Sequence, residues 1–117
     1  MDRKELMETI VKVLDDNKGM DIEALEITDL TSVADYFVIV TGTSSTHVRA
    51  LTEDVEDALT KKGVEPDHIE GKATGWILMD YGSVIVHIFT SDMREHFNLE
   101  HLWADAKATD LSDIITE

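Results

Sequence analysis

Apolar positions change period several times along the chain, and each change marks an element. From Asp2 to Lys18, Leu6, Ile10, Val13 and Leu14 recur at the spacing of one helical face, with Gly19 as the C-cap. Ile22 to Leu30 mixes Ile22, Leu25 and Ile27 with acids, which predicts a short strand near a sheet edge. Thr31 to Asp35 reads as a turn with a little tight helix. Tyr36-Phe37-Val38-Ile39-Val40 is an unbroken β-branched and aromatic run, so it predicts a central strand buried on both faces. Thr41-Gly42-Thr43-Ser44-Ser45 breaks that strand and supplies N-cap hydroxyls. The helix that follows runs to about Lys62. Its inner face carries Val48, Leu51, Val55, Ala58 and Leu59, its outer face Glu53, Asp54, Glu56 and Asp57, and Gly63 ends it.

The second half is less regular. Val64 to Gly75, with the only proline, Pro66, reads as a loop. Trp76 to Tyr81 and Val84 to Phe89 read as two strands joined by a tight turn at Tyr81-Gly82, which would set Trp76 opposite His87 and Leu78 opposite Ile85. One face of that hairpin is then Ile77, Met79, Tyr81, Val84, Val86 and Ile88, an aliphatic core face. The other is Trp76, Leu78, Asp80, Ile85, His87 and Phe89. This mixed face admits two readings, packing beneath a helix or meeting a partner, and an odd loop length would exchange the faces. Asp92 and Glu95 have capping-box spacing and open a short helix to about Phe97. Leu99, Leu102 and Trp103 continue the apolar spacing in a second turn or helix. From Ala104 to Glu117 the chain is acidic, with a short strand or helix at Leu111 to Ile115.

The order of elements predicts an α/β fold of α+β type: a single domain over residues 1–117, with helices packed on a mixed β-sheet. The strand-helix-strand unit from Tyr36 to Tyr81 suggests a right-handed crossover between parallel neighbours.

Composition narrows the function. At 117 residues and 43% hydrophobic content, the chain is long enough for one core and not for two. It has no cysteine, which removes disulfides, thiolate chemistry and zinc ribbons, and no apolar run long enough to span a membrane. The N-terminus, Met-Asp-Arg-Lys-Glu, enters a helical pattern directly, without a signal or transit pattern, so a cytoplasmic location is expected. With 25 acidic and 10 basic side chains, the net charge is -15. Such a surface repels phosphate backbones and is steered towards basic protein surfaces.

Five segments together resemble the ribosomal silencing factors, also called the Iojap family. They are Asp35 to Ser44 (DYFVIVTGTS), Glu70-Gly71, Trp76 to Gly82 (WILMDYG), Val86-His87-Ile88-Phe89, and Arg94 to Asp105 (REHFNLEHLWAD). The closing motif of the family has an aromatic pair and a basic residue where this chain has His96-Phe97 and His101. The resemblance implies a nucleotidyltransferase-like topology without the catalytic carboxylates, no enzymatic activity and no cofactor. It also implies binding to the large ribosomal subunit through ribosomal protein L-fourteen, which blocks subunit joining and damps translation when nutrients are short. Homodimers are implied as well. Matched to motif, the partner-binding positions are Trp76, Leu78, Asp80, His87, Phe89, Arg94, Leu99, Glu100, Leu102 and Trp103. For the Leu99, Leu102 and Trp103 trio, anchoring in a partner's groove and closing the core are both open. Arg94 suits Asp80 or Glu100 within the fold, or an external carboxylate.

Other chemistries fit the residues less well. Gly42-Thr43-Ser44 at a helix start suits a phosphate, but nucleotidyl transfer needs paired carboxylates on a following strand, and only Asp80 stands there. His87, His96, Glu100 and His101 include one pair a helical turn apart but no repeated metal-ligand motif. A generic acidic interaction module shares the charge but not the five segments.

Overall fold

A computed structural model describes residues 1–71 and 75–115. Residues 72–74 of the expected loop, and 116–117 of the acidic tail, lie outside the described residues. The elements in chain order are α1 (Arg3–Asp16), β1 (Met20–Glu26), β2 (Tyr36–Gly42), α2 (Ser45–Thr60), β3 (His68–Glu70), β4 (Trp76–Asp80), β5 (Val84–Thr90), α3 (Ser91–Phe97), α4 (Leu99–Leu102) and β6 (Lys107–Ala108). Among the described residues the strands form one mixed sheet in the order β3-β4-β5-β2-β1-β6.

The unbroken apolar run becomes the centre. Every residue of β2 is buried, and it pairs parallel with β5 and antiparallel with β1. Alternation along β2 feeds two cores. Tyr36, Val38 and Val40 join Leu6, Ile10, Leu14, Val48, Leu51, Val55 and Leu59 beneath α1 and α2. Phe37 and Ile39 join Leu25, Ile27, Ile85 and Phe89 on the opposite face. Fully burying a side chain of this size contributes about 1.5–3 kcal/mol, so β2, which feeds both cores, sits where the fold gains most.

The expected crossover is corrected. The parallel neighbour of β2 is β5, and β4 lies beyond it, antiparallel to β5. Continuity of the apolar run decides this. In β5 all but the last residue are buried, whereas β4 alternates and is left near the edge. The hairpin register also shifts by one position on each strand. Tyr81 donates its N–H to the Val84 carbonyl at 2.9 Å, so Gly82-Ser83 forms the two-residue loop. Trp76 therefore pairs with Phe89, Leu78 with His87 and Asp80 with Ile85. Gly82 has φ +84, the left-handed region that a hairpin loop needs, and its N–H donates to Asp80 Oδ1 at 2.8 Å. Both registers keep the same parity, so the two expected faces are kept.

Other boundaries move for identifiable reasons. The C-cap of α1 is Asn17, and Lys18 takes the left-handed conformation, with Lys18 N–H donating to Asp15 O at 3.1 Å and Gly19 N–H to Leu14 O at 2.7 Å. This is a Schellman closure, and Gly19 lies one residue past the left-handed position. A Cβ at Gly19 would stand 2.7 Å from Val40 Cγ2 and 2.9 Å from Leu14 O, so close approach requires the glycine. Gly63, by contrast, is itself left-handed at φ +80 and closes α2 as expected. β1 starts at Met20 and ends at Glu26, before the expected Leu30, and carries a bulge between Met20 and Glu23. Thr90, not Asp92, is the N-cap of α3, and no side chain caps that helix. The expected loop contains β3, and the tail contributes β6. Leu111 to Ile115 is a turn that packs Leu111, Ile114 and Ile115 onto the α1 side.

Gly19→Ala should cost about 1–3 kcal/mol, because both close neighbours belong to packed structure. Denaturant unfolding would show this as a lower midpoint, and an unchanged midpoint would mean that the α1–β1 connection yields freely.

Candidate functional site

The mixed hairpin face is covered, but thinly. The two long helices lie on the other side of the sheet. Over this face run α3 and α4, neither with a buried residue, together with the segment to Ala106. Met93, Phe97, Leu99, Trp103 and Ala106 pack partly buried against the layer below.

That layer is a row of aromatic rings. Trp76 packs on Phe97 at 4.5 Å between centroids and stacks on Phe89 at 5.3 Å. His87 meets Phe37 edge-on at 4.8 Å, and Phe37 meets Trp103 edge-on at 5.2 Å. Trp76 Nε1 donates to His87 Nδ1 at 3.1 Å and joins the two halves of the row. An indole N–H can only donate, so Nδ1 is the acceptor and a neutral His87 carries its proton on Nε2. That Nε2 is buried with no hydrogen-bond partner among the described residues.

The residues expected at a partner surface divide accordingly. Phe89, 0% exposed, and His87, 4% exposed, are enclosed by the chain itself. Trp76, Leu78, Leu99 and Trp103 are half-buried, each with one side in the layer. Leu102 is 71% exposed at the end of α4. Asp80 is occupied at the hairpin turn, with Oδ2 3.7 Å from His68 Nδ1.

Arg94 and Glu100 meet, as one of the expected pairings had it, but in wider company. Arg94 Nε and Nη2 both donate to Glu100 Oε2, at 3.3 and 3.2 Å. Nη2 also donates to Glu23 Oε2 at 3.2 Å, while Nη1 donates to Asp21 O at 2.6 Å and to Thr41 Oγ1 at 2.8 Å. Burial and the nearby Glu100 hold the Glu23 carboxyl above its ordinary range, against the opposing pull of Arg94. Sequence reading missed Glu23, Asp21 and Thr41. Thr41 was within reach, since it continues the Phe37–Ile39 alternation. Asp21 was not, because a bulge aims its carbonyl.

His96 and His101 are exposed and His87 is buried, and among the described residues no group of three or more His, Asp or Glu is placed to hold a metal. At the start of α2, Ser44 caps the helix by accepting from His47 N–H at 3.1 Å, and His47 Nδ1 accepts from Thr43 N–H at 2.9 Å.

Burial pushes the His87 imidazole down to about 4, from an ordinary value of 6.5. Between those pH values the unfolded chain binds a proton that the folded chain refuses. Stability should therefore fall as pH drops through that window, by on the order of 3 kcal/mol in all, and then level off. His87→Asn keeps an acceptor near the Nδ1 position and should flatten the slope. NMR titration of the imidazole tests the assignment directly, and a midpoint near 6.5 would refute it. For Glu23 the raised carboxyl means that its charge opposes folding at neutral pH. Glu23→Gln should therefore leave the melting temperature unchanged or slightly higher, and a clear fall would show that its charge is needed.

Comparisons with known proteins bear on the family and the fold. The family described as RsfS, ribosomal silencing factor during starvation, matches residues 1–117. A ribosomal silencing factor of Halalkalibacterium halodurans is 34% identical over 117 residues, covering 99% of this chain and 100% of the relative. A more distant relative in Mus musculus, named mitochondrial assembly of ribosomal large subunit protein 1, is 31% identical, over 83% of this chain and 44% of its own length. A crystal structure of a Chromobacterium violaceum protein superposes with a TM-score of 0.86 at 33% identity, covering 89% of this chain and 88% of that one. The chain belongs to the RsfS family of ribosomal silencing factors.

Proposed function

We propose that this chain silences translation without catalysis. It docks on the large ribosomal subunit through ribosomal protein L-fourteen and sterically blocks the small subunit from joining when nutrients are short. The family match along the whole chain carries this reading. The relative named for assembly of the ribosomal large subunit supports the choice of subunit.

The contact surface we assign is the outer side of the thinly covered face: Trp76, Leu78, Leu99, Leu102 and Trp103. Aromatic and leucine side chains that pack on the layer below and remain partly exposed are suited to anchoring in a partner's pocket. Exposed Asp92, Glu95 and Asp105 lie in and beside the same helices, on a chain of net charge -15. A basic ribosomal protein complements that charge, whereas ribosomal RNA does not. His87 and Phe89 support the surface from beneath, and Arg94 and Glu100 support it from the side. A homodimer formed through this face would compete with the subunit, and light scattering across a dilution series would detect it.

Co-sedimentation with purified subunits tests the reading. The protein should pellet with large and not with small subunits, and should suppress formation of joined ribosomes at saturation. Leu102→Asp, at a position that buries little, should lose at least about tenfold in affinity with an unchanged melting temperature. Equal pelleting with both subunits, or joining at full rate under saturation, would refute the proposal.

A further inference from the structure

We infer that Arg94 is a positioning residue that holds the α3–α4 arm, and with it Leu99, Leu102 and Trp103, in a binding-ready geometry. The inference rests on the surface proposed above. Its first support is that the guanidinium is fully used. Arginine has five N–H donors, and all five are matched here, to Glu100 twice, Glu23, Asp21 O and Thr41. The side chain is 11% exposed, although α3 itself buries no residue.

A second support is where those partners sit. Asp21 and Glu23 belong to β1, Thr41 to β2 and Glu100 to α4, so one side chain on α3 ties the sheet to both short helices. A third lies in the backbone. Asp21 holds φ +49 beside the β1 bulge, a conformation unfavourable for a residue with a side chain, and its carbonyl makes the 2.6 Å contact with Arg94. Asn98, between α3 and α4, also holds a left-handed φ of 47, so the angle between the two helices is set at one residue. Glu100, two residues further on, is where Arg94 grips the far side of that joint. Apolar packing alone leaves the arm lightly held, since Met93, Phe97, Leu99 and Trp103 are all only partly buried.

Lysine keeps the charge but offers a point donor instead of a planar fork, so Arg94→Lys isolates geometry from charge. In the full-length protein, hydrogen exchange of amides in residues 93–103 should accelerate at least tenfold, while β2 and β5 amides keep their rates. The association rate for purified large subunits should fall by a similar factor with little change in dissociation, because fewer molecules hold the competent arm. Leu102→Asp should do the reverse, raising dissociation and leaving exchange unchanged. Thr41→Val removes one acceptor from the other end of the clamp and should give a smaller effect in the same direction, which keeps the test open if Arg94→Lys folds poorly.

Exchange that stays slow in the arm would overturn the inference. So would acceleration of arm and core together, which would make Arg94 a general stabiliser. A freed arm with unchanged association would also overturn it while leaving the surface intact. Normal binding by Leu102→Asp would instead sink the proposed surface itself, and the positioning role with it.

Discussion

A sheet that is apolar on both faces must be covered twice, and this chain has enough long helix to cover it once. The constraint begins in β2, buried at every residue. Its even positions feed the core beneath α1 and α2, where Met7, Ile10, Leu14, Leu51 and Leu59 are fully enclosed. Its odd positions face the other way, where among the described residues α3, α4, the segment to Ala106, and Ile27 and Ala34 of the β1–β2 connection supply the cover. With seven and four residues, those helices are too short to be stable alone and too short to bury a stripe of their own. Rings supply what helix length does not. Phe37, Trp76, His87, Phe89, Phe97 and Trp103 bury large areas with few rotatable bonds, and their edge-on, stacked and tilted contacts give the layer fixed geometry.

Burial disfavours a charged histidine in such a layer, and the sheet register brings a hydrogen-bond donor to its ring. Leu78 pairs with His87 and Trp76 with Phe89, so the Trp76 indole lies diagonal to His87 on the same face, within reach of Nδ1. The bond fixes the ring as an acceptor at that atom, and burial disfavours the cation. Trp76 gains a fixed side-chain direction and remains partly exposed. The polar contact serves mainly to orient the aromatic group.

How far the sequence could be read depended on which signals are periodic. Face assignment was legible because parity survives a register error: Ile77, Met79 and Ile88 lie on the aliphatic side whether the loop is Tyr81-Gly82 or Gly82-Ser83. The buried run of β2 and the inner face of α2 were legible for the same reason. Strand order was not, because the tight hairpin alone does not say which of its strands turns inward. The burial of β5 against the alternation of β4 decides that, and both runs look apolar in sequence. β3 was hidden among charged residues because an outer strand of three residues needs no apolar pattern. The motif match found Arg94 and Glu100 but not their setting, since the Asp21 carbonyl depends on a bulge with no local sequence signature. For the trio of Leu99, Leu102 and Trp103, the core-closing reading holds for two of the three. Leu99 and Trp103 lean on the core, and Leu102 stands clear.

Charge and apolar contact act at different ranges, and this sets the demand on the arm. At physiological ionic strength, charge is felt over about 8 Å, so a net charge of -15 draws the protein towards basic surfaces in general. It raises the encounter rate but distinguishes poorly between one basic protein and another, and a ribosome offers many. Discrimination has to come at contact, from side chains whose positions match one pocket and no other. On the proposed steric reading there is no chemical step at which to reject a wrong partner, so selectivity would lie in the shape the surface presents. Disorder in that shape reduces affinity directly, because each docking event must first order what was loose. The exposed leucine sits at the end of α4, a helix with no buried residue. Full use of a guanidinium, at the expense of an unfavourable φ at Asp21 and a charge-strained Glu23, is therefore intelligible as a means of keeping that element still.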